Sequence, residues 1–458
     1  MNTRKETFIP KQYLAVISVL AAMMMGVLNG TIMNVALPTL AKEFAVEASV
    51  AIWVVNAFQL VITMLMLSFA TLGDIYGYRK IFFTGVSIFV VSSILCACST
   101  SFEMLVISRI LQGFGSACTM SVNIALIRLI YPPHMIGRGM AINAMVISVS
   151  AASGPTLAGL ILSFASWNWL FLINLPLGLL SLALGWKLLP NNPPNKEKRK
   201  FDKISALGNA LTFGLLIYTI EGVAHSENQL LILIQFVLLV IIGTLYIRRQ
   251  QKLATPILPV DLLKIPLFSL SIGSSLASFT AQMLAMVSLP FFMQNILHFD
   301  AIEIGLLMTP WPLATILTAP LSSRLLERHV HPGLLGGIGM GVFSIGLFML
   351  YLLPDDPEKW QIIWRMFVCG MGYGLFQTPN NVTITTSAPI ARSGGASGML
   401  GTARQLGQTL GATLVALIFR FFGESSQFQT CLLCAMIFSL ASMLLSMLRM
   451  PHANRHSA

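Results

Sequence analysis

Three arginines lie inside long apolar runs of this sequence: Arg109, Arg365 and Arg404. A cation within a bilayer costs a few kcal/mol at the helix centre, so each needs a polar partner or a wet cavity. Asn29 lies about sixteen residues into the first run, roughly 24 Å from its start at 1.5 Å per residue. Arg109 enters its own run from the opposite side and is ~9 Å deep. Both fall in the outer third of a ~30 Å hydrocarbon core, so their depths allow them to meet. The acceptor that Asn29 offers is an amide oxygen, which cannot titrate. Glu221 is the one acid arguably within a run, and it lies near an end; every other acid falls between runs or at their edges. Cys431-x-x-Cys434 has no second pair and sits in an apolar run, so it reads as packing and not as a metal or redox site. No phosphate-binding Gly-Lys-Ser/Thr loop is present. The available chemistry is recognition of charge and polarity, without covalent catalysis, cofactor or metal.

The elements that position these residues follow from composition. The chain has 458 residues, 55% hydrophobic and 10% charged, with a mean hydropathy of +0.78. A soluble protein carries about 25% charged residues. The deficit marks an all-α polytopic membrane protein, because only helices and closed barrels satisfy the backbone in lipid and barrel-type alternation is absent. The apolar runs are read as fourteen spans, near 13–34, 50–71, 81–100, 104–127, 139–163, 168–188, 204–224, 229–248, 267–291, 302–322, 333–353, 359–381, 396–420 and 426–448. The basic run-up to the first span looks like a signal peptide, but the run is too long and lacks a small-residue cleavage site, so it reads as a retained helix.

The net charge of +11 does not point to nucleic acid, since the basic residues sit between runs, where topology explains them. With the N-terminus inside, only Lys42, Lys359 and Arg420 of the 28 Lys and Arg fall outside, beyond the three within runs. Both termini are then cytoplasmic. The polar segment 191–203 and the Pro-rich segment 249–266 divide the chain. The expected plan is a six-helix bundle over 1–190, a two-helix insert over 204–248, and a second six-helix bundle over 267–458. A weak repeat supports it: Arg109-x3-Gly113-x-Gly115 in the fourth span and Arg365-x4-Gly370-x-Gly372 in the twelfth.

Several ordered stretches carry a resemblance. Leu72-Gly73-Asp74-Ile75-Tyr76-Gly77-Tyr78-Arg79-Lys80 resembles the cytoplasmic loop motif of the major facilitator superfamily, which implies a conformational latch through Gly73, Asp74, Gly77 and Arg79. Asp74 at the membrane edge is placed to pair with Arg79 or a helix N-terminus. Arg109 to Ala117 resembles the second motif of that superfamily, and Ser153-Gly154-Pro155-Thr156 resembles the third, associated with antiporters, with a bend expected at Gly154 and Pro155. The stretch Leu28 to Pro38, Trp53-Val54-Val55, and Gly398 to Gly407 resemble the fourteen-span drug:proton antiporter branch. Two departures stand out: Asn29 occupies a position where the branch commonly has Asp, and the outer loop near 423–425 is short.

The resemblance implies a major facilitator fold in a bacterial cytoplasmic (inner) membrane. It implies proton-driven efflux of small lipophilic compounds by alternating access. The implied partners are a small-molecule substrate, protons and the lipid bilayer, with a monomer as the working unit and a periplasmic adaptor left open. Candidate substrate or coupling residues are Asn29, Asn34, Asn56, Gln59, Arg109, Gln112 and Asn123 in the first half and Glu221 in the insert. In the second half they are Gln282, Trp311, Arg365, Gln377, Asn380 and Arg404. With Asn29 neutral, proton coupling is left to Glu221, Asp74, a histidine or the substrate's own ionisation. The excess of cations within the spans points to neutral or anionic substrates over dications. Import or facilitation of a metabolite, export of one endogenous product such as a siderophore, and a non-transporting sensor or scaffold are the other readings.

Overall fold

The computed structural model describes residues 10–132, 136–190, 201–224, 229–253, 256–328, 330–354, 356–388 and 393–450. The described residues are helical, without strands. The first half contains α1 (Pro10–Glu43), α2 (Ala48–Ala51), α3 (Trp53–Tyr76), α4 (Tyr78–Ala97), α5 (Phe102–Ile130), α6 (Ile136–Phe164), α7 (Trp169–Leu172) and α8 (Asn174–Leu188). Next come α9 (Lys203–Ala224) and α10 (Gln229–Lys252). The second half contains α11 (Pro266–Asn295), α12 (Ala301–Met308), α13 (Pro310–Glu327), α14 (Pro332–Tyr351), α15 (Lys359–Ser387), α16 (Ser393–Phe421) and α17 (Glu424–Met447). The short α2, α7 and α12 are each separated from the next helix by one residue, Ile52, Ile173 and Thr309.

Among the described residues, 12 helical stretches are long and apolar enough to cross a membrane. Helices α15 and α16 are not among them, although each has 29 residues. At 1.5 Å per residue each is about 43 Å long, more than a hydrocarbon core requires. What they lack is apolarity: Arg365, Gln377, Asn380, Arg404, Gln405 and Gln408 all lie on these two helices.

The two halves are built on the same contacts. In the first, a Cβ on Gly113 of α5 would lie 2.7 Å from the Phe58 carbonyl of α3, and one on Gly115 would lie 2.6 Å from the Phe89 nitrogen of α4. In the second, a Cβ on Gly370 of α15 would strike the Trp311 carbonyl of α13, and one on Gly372 would strike the Phe343 nitrogen of α14. Glycine at these positions lets backbones touch where lipid provides no hydrophobic drive. A second correspondence is a pair of serine clasps. Ser18 Oγ donates to the Ser181 carbonyl at 2.7 Å and Ser181 Oγ donates back to Ser18 at 2.8 Å, joining α1 to α8. Ser274 and Ser442 make the same exchange at 3.0 and 2.9 Å, joining α11 to α17.

The shared glycines also show where the repeat departs. Arg109 precedes Gly113 by four residues, whereas Arg365 precedes Gly370 by five. One residue on a helix is about 100° of rotation. Arg109 therefore points into the bundle and is 0% exposed. Arg365 is half-buried; it donates to the Gln361 carbonyl of its own helix at 2.9 Å, with its guanidinium over Trp364.

Helices α9 and α10 pack on each other, and α9 lies against both α3 and α16. Asn209 Nδ2 donates to the Met64 carbonyl at 2.8 Å and its Oδ1 accepts from Tyr246 Oη at 3.0 Å, so one amide ties α3, α9 and α10 together. At the start of α9, Asp202 accepts from Ser205 and from Arg249 at 3.0 Å. Partial burial of Asp202 works against its charged form, but these hydrogen bonds and the Arg249 charge outweigh it and hold the carboxyl below its ordinary range.

Candidate functional site

Two polar constellations occupy the interior. The first surrounds Arg109. Its Nη1 donates to Asn29 Oδ1 at 2.6 Å and to Gln112 Oε1 at 2.5 Å, and its Nε donates to the Val54 carbonyl at 2.8 Å. Its guanidinium carbon lies 4.2 Å from the Phe58 ring centroid. Gln112 in turn donates to Ser93 Oγ at 2.8 Å, so α1, α3, α4 and α5 meet at one guanidinium. Each charge-assisted hydrogen bond contributes about 1.5–3 kcal/mol, and a desolvated cation–π contact adds up to about 2 kcal/mol. This is how a buried cation is held without a carboxylate. The arrangement is incomplete, because Arg109 Nη2 and Asn29 Nδ2 are buried without acceptors.

The second constellation is a cavity of about 170 Å³ between the halves. Asn34, Gln59, Met120 and Pro155 face it from the first half. Gln282, Trp311, Gln377 and Arg404 face it from the second, beside Met283, Met286 and Met308. Among the described lining residues Arg404 is the one that carries a formal charge, and none is an acid. Its guanidinium carbon lies 5.9 Å from the Phe279 ring centroid. Five buried polar atoms of residues on this wall have no partner among the described residues: Asn34 Oδ1, Gln59 Oε1, Trp311 Nε1, Tyr373 Oη and Arg404 Nε. A buried polar atom without a partner costs about 1–3 kcal/mol, so the wall is a set of hydrogen-bonding positions that a ligand or water completes.

The halves meet along α3 and α16, where Thr63 and Thr409 share a hydrogen bond of 3.4 Å, and again at Glu47 and Arg420. These two form an ion pair of 3.4 Å between the entry to α2 and the end of α16. Nearby, Thr156 of α6 and Thr309 at the entry to α13 share a hydrogen bond. A Cβ on Gly305 of α12 would lie 2.5 Å from the Pro155 carbonyl of α6. Beside Pro155, a Cβ on Gly154 would strike Thr31 Oγ1 of α1, so glycine here lets α6 lie on α1.

The sequence-derived candidates thus divide. Asn29, Arg109 and Gln112 form the closed network inside the first half. Asn34, Gln59, Gln282, Trp311, Gln377 and Arg404 line the cavity. Asn56 is buried on α3. Asn123 donates to Asn143 at 3.0 Å, binding α5 to α6. Asn380 donates to Ser275 at 2.6 Å and accepts from Arg449 at 2.8 Å. The side chain of Glu221 lies outside the described residues. Sequence reading missed Gln405 and Gln408 on the cavity wall; the signal was present, since both follow Arg404 within one turn of an apolar run. It also read Arg449 as a cytoplasmic topology charge, whereas it is 1% exposed and donates to Ser271 at 3.1 Å and to Asn380.

In the turn between α3 and α4, Gly77 has φ 108° and ψ 129°, a conformation that favours glycine. Asp74 accepts a hydrogen bond from Tyr78 Oη at 2.6 Å. Arg79 donates to the Trp186 carbonyl of α8 at 2.5 Å, with its guanidinium over Phe83. The turn is therefore fastened to α8.

Two helical halves with matching contacts, enclosing a partly apolar cavity in a chain of membrane-crossing helices, define a multi-pass membrane transporter. The family model described as Major Facilitator Superfamily matches residues 18–412 and 270–457, and this chain belongs to that superfamily. The chain is 53% identical over 434 residues to "Uncharacterized transporter YebQ" of Escherichia coli K12, covering 95% of each. It is 29% identical over 417 residues to "Riboflavin transporter RibZ" of Clostridioides difficile, covering 91% of this chain and 89% of that one. It is 30% identical over 432 residues to "Multidrug efflux pump LfrA" of Mycolicibacterium smegmatis, covering 93% and 84%.

Proposed function

We propose that this chain is a fourteen-span exporter of small lipophilic compounds in a bacterial inner membrane, working by alternating access and driven by the proton gradient. The observation that carries the reading is the cavity between the halves, with its methionine and aromatic walls and its unpartnered polar atoms. Unbranched, polarisable methionines adapt to ligands of varied shape, and scattered polar groups orient them. Fourteen spans follow if α15 and α16 cross as well. Both are long enough, and Gln377 of α15 and Arg404, Gln405 and Gln408 of α16 face the cavity, where polarity is tolerated. A count of fourteen would accord with the resemblance to the fourteen-span drug:proton antiporters and with two six-helix bundles between which α9 and α10 are inserted.

The distribution of Lys and Arg puts both termini in the cytoplasm. The end sealed by Glu47, Arg420, Thr156 and Thr309 is then the outer one, and export proceeds by rocking the halves so that this seal opens. No acid is among the described residues that line the cavity, which favours the substrate's own ionisation over a cavity carboxylate as the route of coupling.

The test is efflux from proteoliposomes holding the purified chain, with an imposed pH gradient and a panel of lipophilic dyes. Gradient-dependent efflux of several unrelated dyes is the expected result. No flux of any dye would leave a sensor or scaffold. A second reading, transport of one endogenous metabolite, is favoured by the similar identities to a riboflavin transporter and a multidrug pump; under it a single compound inhibits the transport of all others.

A further inference from the structure

Arg404 differs from the other buried arginines. Arg109 and Arg449 are held by hydrogen bonds from several helices. Arg404 makes no ion pair with a described carboxylate, its Nε is buried without a partner, and its neighbours are the Phe279 ring and the neutral Tyr373 phenol. It also lines the cavity, where it is the single formal charge among the described residues. Trp311, 1% exposed, presents an unpartnered indole N–H to the same space. A guanidinium and an indole N–H offer donors only. The group that completes them is an acceptor, and a charged one gains most, because hydrogen bonds to an ionised partner are roughly twice as strong. Around these donors the wall is methionine, phenylalanine and glutamine.

We propose that the transported species is a monoanion with an aromatic or aliphatic body, its acidic group docked on Arg404, and that the electrical part of the membrane gradient drives its exit. The proposal rests on the export reading above. Docking neutralises the site, so the loaded carrier crosses its closed state with no net charge in the cavity. The empty carrier returns with the positive charge of Arg404. One negative charge leaves per cycle, and no protein carboxylate has to take up or release a proton. An inside-negative potential of 100 mV shifts the distribution of a monoanion about 50-fold outward. The absence of an acid from the described cavity lining is then a property of the mechanism.

The test uses the full chain in liposomes and a matched pair of probes. 8-Anilinonaphthalene-1-sulfonate carries a permanent negative charge, and N-phenyl-1-naphthylamine is the same skeleton without the sulfonate. Ethidium supplies the cationic arm, and protein-free liposomes give the leak. The expected result is protein-dependent efflux of the sulfonate in preference to the amine and to ethidium, accelerated by an inside-negative potassium diffusion potential and slowed by the reverse. Arg404→Gln lowers the sulfonate-to-amine flux ratio tenfold or more, and Arg404→Lys retains most of it. Preference for ethidium or the neutral amine, an unchanged ratio in Arg404→Gln, or insensitivity of sulfonate efflux to potential would overturn the proposal. The potential dependence is read on the wild-type chain and stands even if a variant fails to fold. Failure of all three probes to move would instead overturn the export reading.

Discussion

Replacing Asn29 by Asp tests the account of the Arg109 network most directly. Asn29 Oδ1 already accepts from Arg109 Nη1 at 2.6 Å, while Asn29 Nδ2 and Arg109 Nη2 lack acceptors. The substitution removes one orphaned donor and supplies a second acceptor oxygen. Relief of an unsatisfied buried group is worth about 1–3 kcal/mol. Opposite charges ~4 Å apart attract by about 4 kcal/mol at an effective dielectric of 20. Against this stands the desolvation of the new carboxylate, an effective cost of several kcal/mol. The net expected gain is about 2–3 kcal/mol. Thermal unfolding of the detergent-purified chain measures it, and Asn29→Asp should raise Tm. A double-mutant cycle with Arg109→Gln isolates the pair: loss of the arginine should cost about 3 kcal/mol more in the Asn29→Asp background than in the wild type, because it strands an anion. A lowered Tm for Asn29→Asp, or a coupling below about 0.5 kcal/mol, would refute the reasoning.

Three further outcomes follow from single contacts. Gly154→Ala places a methyl group against Thr31 Oγ1; it should lower Tm and slow dye efflux, and the companion Thr31→Ala should restore part of both. Gly77→Ala forces a side chain onto a backbone at φ 108°, costing about 1–3 kcal/mol, read as a drop in Tm. Asp202→Asn removes the carboxylate of the Arg249 pair, whose partners are 26% and 41% exposed, so screening limits the loss to under about 1 kcal/mol. Because the folded carboxyl is held below its ordinary range, that loss should be constant from neutral pH down to the unfolded carboxylate's range near ~4, then vanish as pH falls through the folded value. A loss that grew on acidification would contradict the assignment.

Much of the molecule was legible before any coordinates. The apolar runs marked the long helices, twelve of them by length and hydropathy alone, whereas α15 and α16 are long but too polar for that criterion. The glycine spacings in the fourth and twelfth spans signalled a repeat, and its contacts are those of Gly113, Gly115, Gly370 and Gly372. The same spacing misled over the arginines, because one extra residue before Gly370 turns Arg365 out of the bundle. Depth alone allowed Asn29 and Arg109 to meet, but not whether the guanidinium would instead reach the interface. Asn123, Gln112 and Asn380 looked like cavity residues by type, yet each makes a hydrogen bond between helices.

By itself the sequence determined the membrane class and most of the long helices, which depend on residue type and local spacing. The tertiary structure decided which arginine is held in a network between helices and which faces the cavity. Arg109 is closed off by Asn29, Gln112 and a backbone carbonyl from three helices, and Arg404 stands on the cavity wall with donors to spare. That distinction depends on helix rotation and on residues dozens to hundreds of positions apart, which no local pattern encodes.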